Sequence, residues 1–190
     1  TYVLSLIPIA PIEPIEIEFS FECSNTNPAT TIVGVNTLQF TASATPVADI
    51  IAMTVGTKGY RPGAVVIPYS DPRWGAFAAA TTNLGASASI TVSGNTGGNA
   101  MLPRTITICQ SNPATGACLA APTSTLTLTI DTNATATFTI FVEDKSVPNP
   151  SGAGRFDPAA DRIYLRFRDQ EGIIRGSTSV AVEVLGYWDY

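Results

Sequence analysis

Hydrophobic and polar residues alternate along much of this chain with the period of two that is typical of half-buried β-strands. Leucine and isoleucine alternate with threonine in 124–130 (STLTLTI), and the same period recurs in 137–142 (TFTIFV) and 163–167 (IYLRF). One face of each segment is therefore predicted to point into a core. These inward residues are Leu126, Leu128, Ile130, Phe138, Ile140, Val142, Ile163, Leu165 and Phe167.

Strands dominate the whole prediction, because helical periodicity is nearly absent and apolar or threonine-rich runs recur between turn residues. The best helix candidate, 74–82 (WGAFAAATT), is short, and we interpret it as a strand of small residues. Many short strands separated by turns indicate an all-β fold, an antiparallel β-sandwich of immunoglobulin-like or jelly-roll-like type. The predicted strands are 15–22, 31–43, 49–56, 63–68, 75–83, 87–93, 102–109, 124–131, 135–142, 162–168 and 173–185.

The four-residue turn 131–134 (DTNA) is short enough for an antiparallel hairpin. We therefore expect the strands on either side of it to be neighbours in one sheet.

The N-terminal segment differs from the rest, because residues 3–9 are apolar on both faces, as in a strand covered by two layers. Pro8, Pro11 and Pro14 interrupt the next stretch, and 15–22 then alternates, with isoleucine and phenylalanine on one face and mainly glutamate on the other. We predict an extended arm, residues 1–14, and a β-sandwich body, residues 15–190. Such an arm has to pack on its own domain or on a neighbouring copy.

Composition narrows the function classes. The chain of 190 residues is 45% hydrophobic but only 13% charged, about half the usual charged fraction. This balance fits a surface that is partly covered by partners, and it also fits a secreted protein with an uncharged Thr/Ser/Asn surface. The net charge of −5 argues against nucleic acid as a partner, and no apolar run is long enough for a membrane span.

Candidates for catalysis are weak, because the chain contains no histidine, the commonest general base and zinc ligand. Arginines interleave with the carboxylates near the C-terminus, so surface ion pairs explain these acids better than a glycosidase pair does. A calcium site at Asp157 and Asp161 is the weaker alternative. We predict no catalytic residue, no metal and no cofactor. The carboxylates in question are Asp144, Asp157, Asp161, Asp169 and Glu171.

The three cysteines predict a disulfide bond. Cys109 ends a strand, and Cys118 follows the turn-rich loop 110–117 (QSNPATGA). We favour a Cys109–Cys118 bond over two buried thiols and over a bond from Cys23 to either partner. Cys23 is then left as a buried free thiol or as a bridge between chains. A disulfide, few lysines and a chain that starts at Thr1 lead us to expect a mature, secreted protein.

Aromatic residues cluster at the C-terminus, where Tyr187, Trp188 and Tyr190 lie within four positions. Exposed aromatic side chains of this kind stack on sugars or anchor subunit interfaces, and they also pack in ordinary terminal strands.

Three segments, 112–118 (NPATGAC), 155–169 (RFDPAADRIYLRFRD) and 175–184 (RGSTSVAVEV), resemble secreted bacterial surface proteins with immunoglobulin-like β-sandwiches. The arm is similar in principle to the donor strand of bacterial pilus or matrix-fibre subunits. This resemblance implies a structural subunit of an extracellular filament that polymerises head to tail. The arm would then fill a groove on a neighbour with Val3, Leu4, Leu6, Ile7 and Ile9.

The alternative is an adhesin or carbohydrate-binding module of a larger surface protein, with a glycan or a host surface as its partner. An enzyme is the third hypothesis, and the missing histidine argues against it.

Overall fold

The protein has an all-β fold, as predicted, in a computed structural model that describes residues 3–22, 24–34, 36–56, 63–68, 73–99, 102, 104–144 and 156–185. These ranges contain eleven strands and no helix. The strands are β1 (Ile12–Glu18), β2 (Thr37–Ala42), β3 (Ile50–Val55), β4 (Ala64–Ile67), β5 (Trp74–Asn83), β6 (Ala88–Asn95), β7 (Arg104–Gln110), β8 (Thr125–Ile130), β9 (Thr135–Asp144), β10 (Arg162–Arg168) and β11 (Ile174–Val184).

Two sheets form the body. The five-stranded sheet has the order β4-β11-β10-β6-β8, and the four-stranded sheet has the order β3-β5-β9-β7. All pairs are antiparallel except β4 with β11, which run parallel, so the antiparallel prediction holds for every pair but this one. The remaining strands, β1 and β2, pair with each other as a separate antiparallel hairpin.

The core lies between the two body sheets, and all nine predicted inward residues belong to it or pack against it. Phe138 of β9 meets Phe167 of β10 across the sandwich, with ring centroids 5.9 Å apart. Both side chains are fully buried, while Leu126 and Leu128 of β8 are half-buried and pack against the same cluster. The segment around residues 74–82 is a strand, as predicted.

The predicted hairpin at 131–134 is wrong, because β8 and β9 belong to different sheets. Both strands turn an apolar face toward the same core from opposite sides, so the turn has to arch from one sheet to the other. Asn133 adopts a positive φ of 61° in this arch, which asparagine tolerates better than most residues. The main chain of Asn83 holds the arch through two hydrogen bonds. Its carbonyl oxygen accepts from the N–H of Asn133, and its N–H donates to Ala134 O.

One side of the sandwich is closed by β3 and β11, which cross closely without forming a ladder. A Cβ atom at Gly176 would overlap the main-chain oxygen of Ile50, so the approach requires glycine there. The hydroxyl of Thr54 donates to Ser179 O at 3.0 Å and adds a polar link.

Within the described ranges, no helix is long and apolar enough to cross a membrane.

Candidate interaction surfaces

Residues 3–11 of the N-terminal arm are exposed. Val3, Ile7 and Ile9 are 92%, 84% and 100% exposed, and Leu4 and Leu6 are exposed as well. Among the described residues of the N-terminus, no strand begins before Ile12, so none of the five predicted interface residues takes part in the chain's own sheets. Their insertion into a neighbour stays a prediction.

The strand that follows the arm starts earlier than expected, at Ile12 instead of residue 15, and it ends at Glu18. The pairing with β2 shifts by one residue between Ile12 and Ile15, which makes a β-bulge around Pro14. A proline has no N–H to give to a ladder, and such residues occur at bulges. Pro14 therefore belongs to the hairpin, and the predicted arm overlaps β1 by three residues.

The apolar side of this hairpin faces outward, which corrects the expectation of a buried apolar face. Ile15 lies opposite Phe40, and Ile17 lies opposite Leu38, so these four side chains share one face. Ile15 is 47% exposed and Leu38 is exposed too, while Ile17 and Phe40 are half-buried. The hairpin is thus amphipathic, with its polar face toward the body and its apolar face available to another surface.

Polar groups attach the hairpin to the body. The side-chain amide of Gln39 donates to Ile174 O at 3.2 Å. Glu16 Oε2 and Arg166 Nη1 are both buried, and neither forms a hydrogen bond with a described residue. Burial lowers the pKa of the Arg166 guanidinium, and the negative charge of Glu16 partly opposes this lowering. The contact therefore includes polar and charged groups, unlike the apolar core between the two sheets.

The outer face of the four-stranded sheet carries a second apolar surface that the sequence analysis missed. Ile51, Met53 and Val55 project from β3 and are exposed. On β5 the half-exposed Trp74 packs against Phe141 of β9, with ring centroids 6.1 Å apart. The signal in the sequence was the run 50–55 (IIAMTV), which is apolar on both faces although only one of them meets the core.

The predicted disulfide is confirmed, because Cys109 and Cys118 are bonded with their Cα atoms 5.5 Å apart. The bond fixes the loop that returns along the free edge of β7. There the N–H of Ile108 donates to Thr123 O, and the N–H of Thr123 donates back to Ile108 O. The N–H of Leu119 also donates to Gln110 O. This loop therefore occupies the C-terminal half of the β7 edge.

A polar cleft of about 620 Å³ opens where the hairpin meets the end of the sandwich. Hydroxyl and carboxylate side chains from the hairpin, from the β5–β6 turn and from the β10–β11 turn line it. One of its acids, Asp169, is already engaged, since it accepts from the N–H groups of Glu171 and Ile173 and pairs with Arg175 at 2.7 Å.

The candidate acids do not converge on one site. Asp144 pairs with Arg73 at 2.8 Å at the opposite end of β9 from the β8–β9 arch. Asp157 and Asp161 share a turn in which Asp161 Oδ2 accepts from the Asp157 N–H and Asp157 Oδ1 accepts from the Ala159 N–H. Among the described residues, no group of three or more His, Cys, Asp or Glu could hold a metal ion.

Tyr187, Trp188, Tyr190 and Cys23 lie outside the described residues, so the predictions made for them stay predictions.

No protein-family model matches the chain, and no curated protein matches its sequence.

Proposed function

We propose that the protein is a non-catalytic structural subunit of an extracellular bacterial filament, assembled by β-strand complementation between copies. The exposed arm carries this proposal. Residues 3–9 expose five large apolar side chains, and the described strands of the body form a core to which none of these five contributes. A self-contained body leaves the arm with no place in its own core and free to bind a second copy.

The energetics require more than side-chain burial. Covering five such side chains contributes roughly 7–15 kcal/mol, and ordering a flexible arm costs about 1–2 kcal/mol per residue. Main-chain hydrogen bonds to an open sheet edge supply part of the additional free energy that a stable contact needs. The outward apolar face of the hairpin and the exposed patch on β3 offer further surface for contacts between bodies. A head-to-tail contact that does not close gives an open fibre.

The disulfide supports the proposed cellular setting. Such bonds persist in oxidising compartments and are rare in the cytosol of mesophiles, which supports a secreted or cell-surface location.

Sedimentation velocity and electron microscopy of the full chain test the proposal. We expect polymers whose mean length grows with concentration, and we expect them to shorten when excess synthetic peptide 1–10 is added. Backbone N-methylation makes this test specific, because alternate residues of a strand present their N–H groups to opposite edges. A peptide methylated at Leu4 and Leu6 and one methylated at Ser5 and Ile7 have the same side chains and the same number of added methyl groups. One of the two peptides should no longer shorten the polymers, and the other should still shorten them. Equal effects of both peptides, or a full chain that stays monomeric, would contradict strand complementation.

A binding module is the second candidate, favoured by the half-exposed Trp74 beside Phe141 on the outer face of the four-stranded sheet. Such a ring can stack on a sugar. Glycan-array binding that is lost in Trp74→Ala, with unchanged assembly, would support this function instead.

A further inference from the structure

The edges of the two body sheets differ in how far they are protected. The four edge strands of the described body are β3, β4, β7 and β8. Unpaired edges are places where another strand can add, and natural proteins usually block them. The availability of each edge therefore indicates where a neighbour's arm can bind.

Three of these edges are obstructed or short. The loop held by the Cys109–Cys118 bond covers the C-terminal half of β7. The edge of β3 runs against β11, close enough that Gly176 has no room for a side chain. The strand β4 has only four residues, and two of them, Val65 and Ile67, are fully buried.

The fourth edge, β8, has none of these protections. It is six residues long, contains no proline or charge, and pairs with β6 in an unbroken register without a bulge. Among the described residues, only β6 forms main-chain-to-main-chain hydrogen bonds with it. Side chains bond the carbonyl oxygens at its two ends, where Thr123 donates to Thr125 O and Asn83 donates to Ile130 O. Its inward side chains Leu126 and Leu128 are only half-buried, so the edge of the core is partly open beneath them.

We infer that β8 is the acceptor edge, and that the arm of a second copy adds to it as a sixth strand of the five-stranded sheet. This inference rests on the proposed function and names the surface that the arm binds.

Length and charge match between the two segments. Residues 3–7, before Pro8, span about 17 Å as a strand, and β8 spans about 20 Å. The arm has no ionisable side chain between Val3 and Pro11, and neither has β8, so their contact buries no charge. Leucines of the incoming arm would cover Leu126 and Leu128, while the threonine face of β8 stays in water.

Hydrogen exchange of the full chain locates the contact. In the assembled protein, the peptide covering residues 124–131 should gain protection relative to the dilute protein, and Leu6→Asp should abolish this gain. A photo-crosslinking benzoylphenylalanine at Ile7 should join the same peptide of another copy. A mixture of isotopically labelled and unlabelled chains identifies the link as intermolecular.

A matched pair of variants tests the edge itself. Thr127 of β8 and Thr91 of β6 are cross-strand partners whose hydroxyl oxygens lie 2.9 Å apart. Thr127→Glu and Thr91→Glu therefore lose the same hydrogen bond and add the same charge, but only the first charge stands on the edge. We expect Thr127→Glu to weaken assembly about tenfold and Thr91→Glu to leave it within about twofold. Thermal unfolding of both variants checks that each is folded.

The outcomes separate the inference from the function it rests on. Polymers that depend on the arm, with crosslinks outside 124–131 and no selective effect of Thr127→Glu, would overturn the β8 assignment and leave strand complementation standing. Crosslinks that form only within one chain would mean that the arm folds back onto its own body. A closed dimer without arm crosslinks would mean that β8 pairs with β8, and a chain that never assembles would overturn both proposals.

Discussion

The side-chain amide of Asn83, at the end of β5, donates to the main-chain oxygen of Ile130, at the end of β8, at 3.0 Å. This bond joins the two sheets of the sandwich at the arch between β8 and β9. Asn83 is completely buried, and its amide makes three further bonds. It donates to Ala86 O and accepts from the N–H groups of Asp49 and Gly85. A buried amide with every hydrogen-bonding position filled rigidifies the structure around it.

Replacing Asn83 should therefore destabilise the fold strongly. In Asn83→Ala, two main-chain N–H groups and two carbonyls lose their buried partner, which costs about 2–4 kcal/mol of unfolding free energy. Urea unfolding followed by tryptophan fluorescence measures this change. Asn95→Ala is the control, because that exposed amide accepts a single local bond from Gly97, and its effect should stay under about 1 kcal/mol. Equal losses in the two variants would contradict the bridging role of Asn83.

The close crossing of β11 and β3 predicts a second sensitive position. Gly176→Ala places a methyl group on the main-chain oxygen of Ile50, and because a backbone atom cannot swing away, β3 has to move. We expect a loss of about 1–3 kcal/mol, as for other overpacked sites. Ser177→Ala, on the opposite face of the same strand, should change the unfolding midpoint little. An unaltered midpoint in Gly176→Ala would show that the two strands are not held this closely in solution.

The disulfide should stabilise the fold measurably. On the chain-entropy model, closing a loop of about ten residues contributes roughly 2.5–3 kcal/mol, so the double variant Cys109→Ser/Cys118→Ser should lose about that much. Non-reducing peptide mapping should find these two residues linked and Cys23 linked to neither. A crosslinked peptide that contains Cys23 and one of the other cysteines would refute the assignment.

Removing residues 1–10 should separate folding from assembly. Residues 3–10 lie outside the sheets and are exposed, so we expect this deletion to change the free energy of unfolding by less than about 1 kcal/mol. The same deletion should abolish polymers in sedimentation velocity, because the body then has no strand to donate. Filaments that still form without the arm would show that some other contact holds the subunits together.

Local sequence pattern predicted the strands because their signal lies within a few residues. All eleven were predicted in the right order, and 162–168 coincides with β10 at both ends. The alternation in 163–167 also identified Ile163, Leu165 and Phe167 as core residues, since a period of two together with apolarity specifies a buried face. The disulfide was predictable for a related reason, because a strand end and a short turn-rich loop bring the two cysteines together locally.

Tertiary structure alone decided how these strands are arranged. A short turn permits either a hairpin or an arch, and β8 and β9 form an arch because their apolar faces meet from opposite sheets. The alternation in β1 likewise identified two faces but not which one the body covers. Glu16 and Gln39 contact the body through polar atoms, and Ile15 is left exposed. The free edge of β8 is also a property of the whole sheet, because an edge exists only where no other strand has paired, and pairing partners lie far apart in the chain.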